Sequence, residues 1–355
     1  MRKLGLETVL FSFIFVTASS AETAQWKFKV GFIAPLSGPA ANYGTWAKTG
    51  FEMGLAEIKD SRLEVVFEDD QFKPADTVSA FKKLTQVDKV DLVISIGSTP
   101  SNAIAPLAEA ARIPLIAWAS DSKVSKGRAY VMRSYFSGEE EGAAIAAEID
   151  RRGYQEVGVI VSVNDYTQSV RKGILAKLEA GKIKYDVEVP AEAVDFRPFI
   201  LRAGALGVRQ VFLCLNPGQF GLFAKQLREL KSDAQMIGCE NIQAADELKI
   251  AAGSLEGAWF VTSAISQDFL GKYAEHLKGD TLVPAVAVHY DLAYLIYDAM
   301  LHAAAPKDVW QAVLGSEKRN TAVGSVGVAN RGGDRFLDTA RRVMLVTDND
   351  FVQVH

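Results

Sequence analysis

The amino-acid sequence predicts an α/β protein with two doubly wound parallel-sheet lobes, because apolar strand patterns alternate with helical patterns in two successive series. The chain has 355 residues, which is too many for one hydrophobic core and favours two domains. Hydrophobic residues make up 49% of the chain and charged residues 23%, as in an ordinary globular protein. The net charge of −4 gives no reason to expect a nucleic acid as a partner.

Residues 1–21 have the pattern of a secretory signal peptide. A short basic start is followed by the apolar run "TVLFSFIFV" and the small residues "TASSA", so we expect cleavage after Ala21. This apolar run is too short to span a bilayer. The sequence therefore predicts a soluble protein that is exported.

The first series of elements follows this segment. Five runs rich in β-branched and aromatic residues are typical of buried parallel strands: 28–36, 63–69, 91–97, 113–120 and 129–134. The spacing of apolar residues predicts helices over 44–59 and 100–111. The stretch "SGPAANYG" (37–44) connects the first strand to the first helix.

The second series begins after a natural break at 135–138. Ser137 and Glu140 match a capping box, so the acidic triplet Glu139 to Glu141 is interpreted as a helix start; a docking surface for a partner is the alternative. Five further strands are predicted over 156–163, 184–190, 210–216, 234–240 and 257–263.

The final third of the chain is less regular. The sequence predicts a helix over 289–301, a glycine-rich loop over 324–334 and one or two closing strands over 341–355.

Ligands of open α/β sheets bind beyond the carboxyl ends of the strands. This rule selects five loops: 37–44, 97–101, 119–122, 216–219 and 239–241. Their residues are small, hydroxylated or acidic, and so offer hydrogen bonds rather than reactive groups. These loops therefore predict a binding site rather than a catalytic one.

Catalytic and metal-binding motifs are absent from the sequence. The histidines, which lie outside the strand-end loops, are interpreted as surface or core residues: His276, His289, His302 and His355. Asp69 and Asp70 are interpreted as a solvated turn that fixes the next helix, not as a cation site. We therefore expect neither a cofactor nor a metal.

Four segments carry a resemblance to a known family: "VGFIAPLSGPAANYG", "DDQFKPADTVSAFKKL", "ISIGSTPSNAIAPLAEAARIPLIAWASDS" and "QVFLCLNPGQFGLFAKQLRELKSDAQMIGCEN". In this order and spacing they resemble the type I periplasmic binding proteins of branched-chain amino acid ABC transporters, such as Leu/Ile/Val-binding proteins. The resemblance implies two lobes joined by three crossings, which close around a ligand like a hinge. It places 22–136 plus 265–327 in one lobe and 137–264 plus 328–355 in the other.

The resemblance also implies the ligand-binding residues, which are Tyr43, Ser98, Thr99, Ser120, Asp121, Tyr166, Asn216 and Glu240. Ser98 and the adjacent backbone amides at the helix start match the position that holds a ligand carboxylate, and Glu240 matches the acid that binds an ammonium group. From the residues alone, Tyr43 could equally pack the helix entry and Ser98 could cap the helix. Glu240 follows an apolar strand and, if buried, needs a cationic partner.

Two cysteines, Cys214 and Cys239, end two neighbouring predicted strands. If these strands are adjacent and in register, a disulfide is geometrically allowed; two buried thiols are the alternative.

The resulting hypothesis is a monomeric, periplasmic substrate-binding protein that delivers an amino acid or a related small molecule to the membrane permease of an ABC importer. Trp118 and Asn216 leave an aromatic acid, an amide or a urea-like ligand as an alternative. A sensory role that presents the ligand to a membrane receptor also stays open. The alternative hypothesis from the class of enzymes is a secreted amidase on the same scaffold. No histidine lies in the strand-end loops, where such an enzyme would need a catalytic base.

Overall fold

The computed structural model describes residues 26–244, 246–277, 281–317 and 319–354, so the expected signal peptide lies outside the described residues. In chain order the strands are β1 (Phe28–Ala34), β2 (Leu63–Asp69), β3 (Leu92–Ile96), β4 (Leu115–Trp118), β5 (Val131–Arg133), β6 (Val157–Ser162), β7 (Ile183–Val189), β8 (Gln210–Cys214), β9 (Gln235–Gly238), β10 (Trp259–Ser263), β11 (Arg319–Thr321), β12 (Gly324–Arg331), β13 (Asp334–Asp338), β14 (Arg341–Thr347) and β15 (Asp350–Gln353). The helices are α1 (Ala41–Ile58), α2 (Pro74–Gln86), α3 (Ser98–Ala111), α4 (Gly138–Arg151), α5 (Asp165–Lys177), α6 (Arg197–Ala205), α7 (Gln219–Glu229), α8 (Glu247–Ala251), α9 (Gln267–Tyr273), α10 (Val283–His302) and α11 (Val309–Leu314).

The strands form two sheets, one for each lobe. The first-lobe sheet has the order β11-β12-β13-β5-β4-β3-β1-β2, and the second-lobe sheet has the order β15-β14-β10-β9-β8-β6-β7. Strands β1 to β5 all pair in parallel within the first sheet, and strands β6 to β10 do so within the second. The pairs β12–β13 and β10–β14 are antiparallel. The two doubly wound lobes that the sequence predicts are thus confirmed, with antiparallel strands added at one edge of each sheet.

Central strands are buried on both faces, which explains their continuous apolar sequence. All residues of β3 and β6 are buried, because helices cover both sides of a parallel sheet. Each lobe has its own core: Phe28, Phe32 and Phe51 belong to the first, and Phe212 and Trp259 to the second. Each lobe can therefore move as a packed unit.

The glycine-rich segment over 324–334 is a β-hairpin, so its prediction as a loop was wrong. Arg331 pairs with Asp334 across Gly332 and Gly333, which have φ angles of 61° and 85°. A two-residue hairpin turn with positive φ at both positions is the form that glycines permit. The glycines that suggested a loop therefore form the turn of a hairpin.

This hairpin also corrects the lobe boundary that we placed at 327–328. Strand β13 pairs in parallel with β5, where Phe336 lies opposite Arg133, and so belongs to the first-lobe sheet. The chain leaves that sheet only at 339–340, before β14. Residues 328–338 therefore lie in the first lobe.

Three segments connect the lobes: 134–137, 264–266 and 339–340. The second and third are hydrogen-bonded to each other, because the amide of Ala264 donates to the carbonyl of Ala340 at 2.8 Å. Phe136 of the first crossing lies near the end of the third, because the guanidinium of Arg341, the next residue, is 5.6 Å from the centre of the Phe136 ring. The three crossings are therefore neighbours and form one hinge region.

A fully buried arginine, Arg133, fixes the first crossing to the first-lobe sheet. Its guanidinium binds both carboxylate oxygens of Asp334, at 3.2 and 2.6 Å. Its Nη1 also donates to the carbonyls of Ala119 at 3.3 Å and Tyr135 at 2.7 Å. One side chain thus connects β5, β13, the end of β4 and the hinge.

Cys214 and Cys239 form a disulfide, which decides between the two alternatives. Strands β8 and β9 pair in parallel with Leu213 opposite Gly238, and the residue that follows each of these two is a cysteine. Their Cα atoms are 5.0 Å apart, within the usual range for a disulfide.

Removing this disulfide should lower the free energy of unfolding. The bond closes a loop with a sequence separation of 25, and the chain-entropy model gives a stabilisation of about 3–4 kcal/mol for a loop of this length. We expect Cys214→Ala with Cys239→Ala to lose this amount in urea unfolding. Reductant should destabilise the wild type similarly and leave the double variant unchanged; a wild type insensitive to reductant would contradict the prediction.

Candidate functional site

A cavity of about 680 Å³ lies between the lobes, at the carboxyl ends of the parallel strands. Seven of the eight residues predicted from the sequence line it: Tyr43, Ser98, Thr99, Ser120, Tyr166, Asn216 and Glu240. The strand-end rule therefore located the cavity correctly. The role of these residues in binding a ligand stays a prediction.

Ser98 begins α3 directly after Gly97, whose φ of 91° turns the chain from β3 into the helix. The Ser98 Oγ accepts hydrogen bonds from the amides of Ser120 at 3.2 Å and Asp121 at 3.1 Å. The hydroxyl proton is therefore left to donate towards the cavity. The first amides of a helix also lack partners within the helix, so this end of the cavity suits an anion such as a carboxylate.

The turn 37–44 carries Tyr43 to the cavity. Asp69 anchors this turn, because its Oδ1 accepts the amides of Leu36 at 2.9 Å and Ser37 at 3.3 Å. Helix α1 begins at Ala41, three residues before the predicted start, so Tyr43 lies in its first turn.

The turn role that we assigned to Asp69 and Asp70 concerns the turn before α2: Asp69 accepts the Gln71 amide at 2.9 Å, and Asp70 accepts the Thr77 hydroxyl of α2 at 2.8 Å. Asp70 is fully buried, however, so the expectation of a solvated turn was wrong for this residue.

Aromatic rings form the inner part of the first-lobe wall. Trp118, at the end of β4, lies 6.0 Å from the Tyr43 ring and 6.2 Å from the Tyr135 ring, centre to centre. Buried His289 packs edge-on against Trp118 at 5.3 Å. Burial lowers the pKa of His289 to about 4, so this imidazole is neutral near pH 7 and supplies no charge to the cavity.

Glu240 is the acid of the second-lobe wall, and its side chain is buried. Its Oε1 accepts hydrogen bonds from the hydroxyls of Tyr135 and Thr262, the latter at 3.0 Å. Its Oε2 accepts none from any residue that the structure describes. Burial raises the pKa of Glu240 to about 7. One carboxylate oxygen therefore remains for a donor that the described chain does not supply.

Glu141, which the sequence analysis did not single out as a site residue, lies directly behind Glu240. It is fully buried in the first turn of α4, and its Oε1 accepts the backbone amide of Glu240 at 2.9 Å. The Tyr166 hydroxyl donates to its two oxygens at 3.1 and 3.0 Å. Burial and the charge of Glu240 raise the pKa of Glu141 to about 8. Glu141, Glu240, Tyr135 and Tyr166 are hereafter the acidic cluster.

The sequence contained a signal for Glu141. Ser137 and Glu140 form the capping box that we predicted, which accounts for Glu140. Glu141, by contrast, shares one helix face with Ile145 and Ile149, both fully buried. Helical periodicity therefore predicts that Glu141 points inwards, although the capping interpretation covered the whole triplet.

Asp121 is the predicted residue that does not line the cavity. Its Oδ1 accepts the Lys123 amide at 3.0 Å, and its Oδ2 accepts the Asn102 side chain at 2.8 Å. The same Asn102 nitrogen also donates to Asp165 of the second lobe at 3.2 Å. Asp121 therefore supports a contact between the lobes rather than the cavity wall.

Asn216 lines the cavity, but its amide group is largely occupied by protein partners. Its Nδ2 donates to the Ala191 carbonyl at 3.0 Å, and its Oδ1 accepts from Asn164 at 2.9 Å. Asn216 therefore shapes the second-lobe wall more than it offers free hydrogen bonds.

The cavity has an acidic balance. Asp165 and Glu240 line it, whereas no Lys, Arg or His is found among the described lining residues. In the part of the chain that the structure describes, no group of three or more His, Cys, Asp or Glu is placed to hold a metal ion. Among the helices of the described ranges, none is long and apolar enough to cross a membrane. The arrangement suits a small molecule with a cationic group.

Comparison with known proteins decides the family. A family model described as "Periplasmic binding protein" matches residues 27–332, most of the chain. The chain belongs to the periplasmic binding protein family. This membership confirms the resemblance found in the sequence and the expectation of a binding protein rather than an enzyme.

Relatives within this family are distant. The Leu/Ile/Val-binding protein homolog 6 of Brucella abortus is 28% identical over 229 residues, covering 61% of this chain and 57% of that relative. LivJ of Streptococcus pneumoniae, a branched-chain amino acid transporter substrate-binding protein solved with isoleucine, has a TM-score of 0.81 at 19% identity, covering 92% of this chain and 99% of that chain. An R. palustris solute-binding protein solved with 4-hydroxybenzoate has a TM-score of 0.80 at 21% identity, covering 93% and 96%. At these identities the structural likeness shows the fold.

The stability of this periplasmic binding protein should fall as the pH rises from 6.5 to about 8.5. The folded protein holds protons on Glu141 and Glu240 up to pKa values of about 8 and about 7, whereas the unfolded chain releases them near 4.5. Stability is therefore lost through this window, on the order of 1 kcal/mol per carboxyl. His289, whose pKa is lowered from 6.5, acts in the opposite direction only below that pH.

This dependence is measured by urea unfolding of the ligand-free protein across the pH series. Glu141→Gln and Glu240→Gln should each flatten the decline, because an amide does not titrate. Glu148→Gln, which removes a buried acid paired with Arg151 and Arg152 outside the cavity, is the matched control. A wild type whose stability rises over this window would refute the assignment.

Proposed function

We propose that the protein is the periplasmic substrate-binding component of an ABC importer, and that it captures an amino acid or a related small molecule between its lobes. The observation that carries the proposal is the buried Glu240 carboxylate on the cavity wall. Its Oε2 accepts no hydrogen bond from a described residue, and no described lining residue is basic. A buried carboxylate of this kind is stabilised by a cationic partner, which an ammonium group supplies.

A zwitterion fits the two ends of the cavity. Its carboxylate would accept hydrogen bonds from the Ser98 hydroxyl and the first amides of α3, where the helix dipole favours negative charge. Its ammonium group would donate to Glu240. The aromatic rings of Tyr43, Trp118 and Tyr135 would pack against the remainder.

Closure about the hinge would complete this site. Residues of both lobes line the cavity, and the lobes are in contact across it: the Tyr43 hydroxyl donates to Asn241 at 3.3 Å, and Asn102 bridges to Asp165. The neighbouring crossings allow the two packed lobes to rotate relative to one another, as in other hinged binding proteins. The ligand would then be enclosed by Ser98 on one side and Glu240 on the other.

An aromatic carboxylate is the second candidate ligand. The ring-rich wall around Trp118 favours it, and an R. palustris neighbour of the same fold was solved with 4-hydroxybenzoate. Such an anion carries no cation for Glu240, however, and would leave that carboxyl buried without a charged partner. The charge of the cavity therefore favours the amino acid.

Export of the protein is supported by the disulfide Cys214–Cys239, since disulfides persist in oxidising compartments such as the periplasm. The signal-peptide pattern of residues 1–21 points the same way. We expect the exported protein to act as a monomer and to present its ligand to a membrane permease.

A thermal-shift panel tests the ligand class. L-amino acids, benzoates and small amides are added separately to protein that has been unfolded and refolded to remove bound ligand. An amino acid present at a hundred times its Kd should stabilise the protein by about 2.7 kcal/mol, a shift of a few degrees in Tm. Stabilisation by benzoates alone would select the second candidate instead.

Two variants test the proposed contacts by calorimetry with the best-binding amino acid. Glu240→Gln and Ser98→Ala should each weaken binding about 10- to 100-fold, because each removes a hydrogen bond to a charged group. Ser101→Ala is the matched control for Ser98, since Ser101 lies buried on the same helix and contacts Ser95 rather than the cavity. Unchanged affinity in Glu240→Gln and Ser98→Ala would show that the site is assigned wrongly.

A further inference from the structure

Glu141 and Glu240 are two carboxyl groups in one buried cluster. The exposed fraction is 0% for Glu141 and 6% for Glu240. Glu141 accepts the backbone amide of Glu240 at 2.9 Å, so the two residues are in direct contact. Each carboxyl also accepts a tyrosine hydroxyl, Tyr166 for Glu141 and Tyr135 for Glu240. These partners are neutral hydrogen-bond donors, and they leave two acids without a counter-charge.

Two basic residues approach the cluster, and neither pairs with Glu141 or Glu240; the buried Nε of one of them, Arg342, has no hydrogen-bond partner among the described residues. Arg341 of β14 lies nearest, where its charge lowers the pKa of Glu141 slightly against the effect of burial. Its guanidinium, however, pairs with Glu140 at 3.5 Å. Arg342 donates to Gln353 at 3.0 Å. No described residue thus forms an ion pair with Glu141 or Glu240 within 4.0 Å.

Two buried carboxylates without a cation cannot both remain ionised at low cost, so such a pair holds a proton in common. We propose that Glu141 and Glu240 share one proton and that the cationic nitrogen of the ligand displaces it. Capture of the ligand then releases a proton to solvent. This inference rests on the proposed function, because it assigns the charge regulation of the same site.

The exchange conserves charge and protons. Without ligand and between about pH 7 and about pH 8, the pair carries one proton and a net charge of −1. When an ammonium group donates to Glu240, the proton leaves for the buffer, and the pair carries −2 against the ligand's +1. No covalent bond other than the O–H bond is broken, and the proton is accepted by water or buffer.

Glu141 acts in this exchange without touching the ligand, since it does not line the cavity. It fixes the Glu240 backbone and the Tyr166 hydroxyl, so it is a positioning residue as well as the second acid. A purely structural role would be preserved by Glu141→Gln, because a glutamine oxygen accepts the same hydrogen bonds. The proton exchange would not be preserved.

Affinity for a cationic ligand should therefore rise with pH. When binding releases one proton, the association constant increases by up to about tenfold per pH unit below the pKa of the free pair. The effect should fade above about pH 8, where the free pair has already lost its proton. In Glu141→Gln the affinity should vary little with pH above about pH 7, where the remaining Glu240 carboxyl is largely ionised.

Calorimetry in buffers of different ionisation enthalpy measures the released protons directly. The wild type is titrated at pH 7.5, between the two pKa values, with the best-binding L-amino acid of the panel, and with benzoate as a probe that lacks a cationic nitrogen. We expect a release approaching one proton for the amino acid, none for benzoate, and little for the amino acid with Glu141→Gln, because the remaining Glu240 carboxyl is already largely ionised at this pH. Glu148→Gln should behave like the wild type. Amino-acid binding without proton release would overturn the inference while leaving the proposed function intact.

A second measurement needs no ligand. It therefore distinguishes a failure of the shared-proton inference from a failure of the proposed function. Carbon-13 NMR of ligand-free protein labelled at glutamate Cδ should show carboxyl signals that titrate above about pH 6, well above the ordinary range. Glu141→Gln should remove one such signal, whereas that of Glu240, whose pKa is raised by burial, should persist. The signal of Glu247, whose pKa burial raises to about 7, should persist as an internal reference. If Glu141 and Glu240 both titrate near 4.5 in the wild type, the shared proton does not exist, whatever the protein binds.

Discussion

The buried ion pair between Arg133 and Asp334 is the constraint on which the arrangement of lobes and cavity depends. It joins two strands that lie 201 residues apart in sequence and ties the backbone of Tyr135, in the first crossing, to the first-lobe sheet. Breaking a buried pair of this kind by removing one partner typically costs about 3–5 kcal/mol, because the other charge is left unpaired. Tyr135 in turn reaches Glu240 across the hinge. The position of the cavity relative to the first lobe is therefore set from within the core.

Periodicity and strand-end position predicted most of this architecture, because both depend on burial and on backbone geometry within single elements. Parallel strands covered on both faces require continuous apolar sequence, and their carboxyl ends must share one edge, so Ser98, Asn216 and Glu240 could be grouped before any contact was known. The hairpin of β12 and β13 could not be found in this way. Its glycines are those of a turn, and only pairing with the distant β5 determines which lobe it joins.

The direction in which side chains point was the other property that the sequence did not predict. Asp121 follows β4 at the correct edge, yet its carboxylate is bound by Asn102 and the Lys123 amide and turns away from the cavity. Glu141 lies outside every strand-end loop, yet the register of α4 turns it inwards beneath Glu240. Position along a strand locates a loop, but the hydrogen bonds that a side chain finds in three dimensions decide where it points. The charge of the cavity, which follows from these choices, was therefore beyond reach of the loop pattern alone.

The disulfide between Cys214 and Cys239 has a geometric consequence for the second lobe. It joins the ends of β8 and β9 two residues before Asn216 and one residue before Glu240, and both of these residues line the cavity. The separation of these two loops is thus fixed covalently, whereas the distance from either loop to Ser98 is set only by the hinge. The second lobe therefore presents a rigid binding surface, and the angle between the lobes determines how well a ligand fits between this surface and the first lobe.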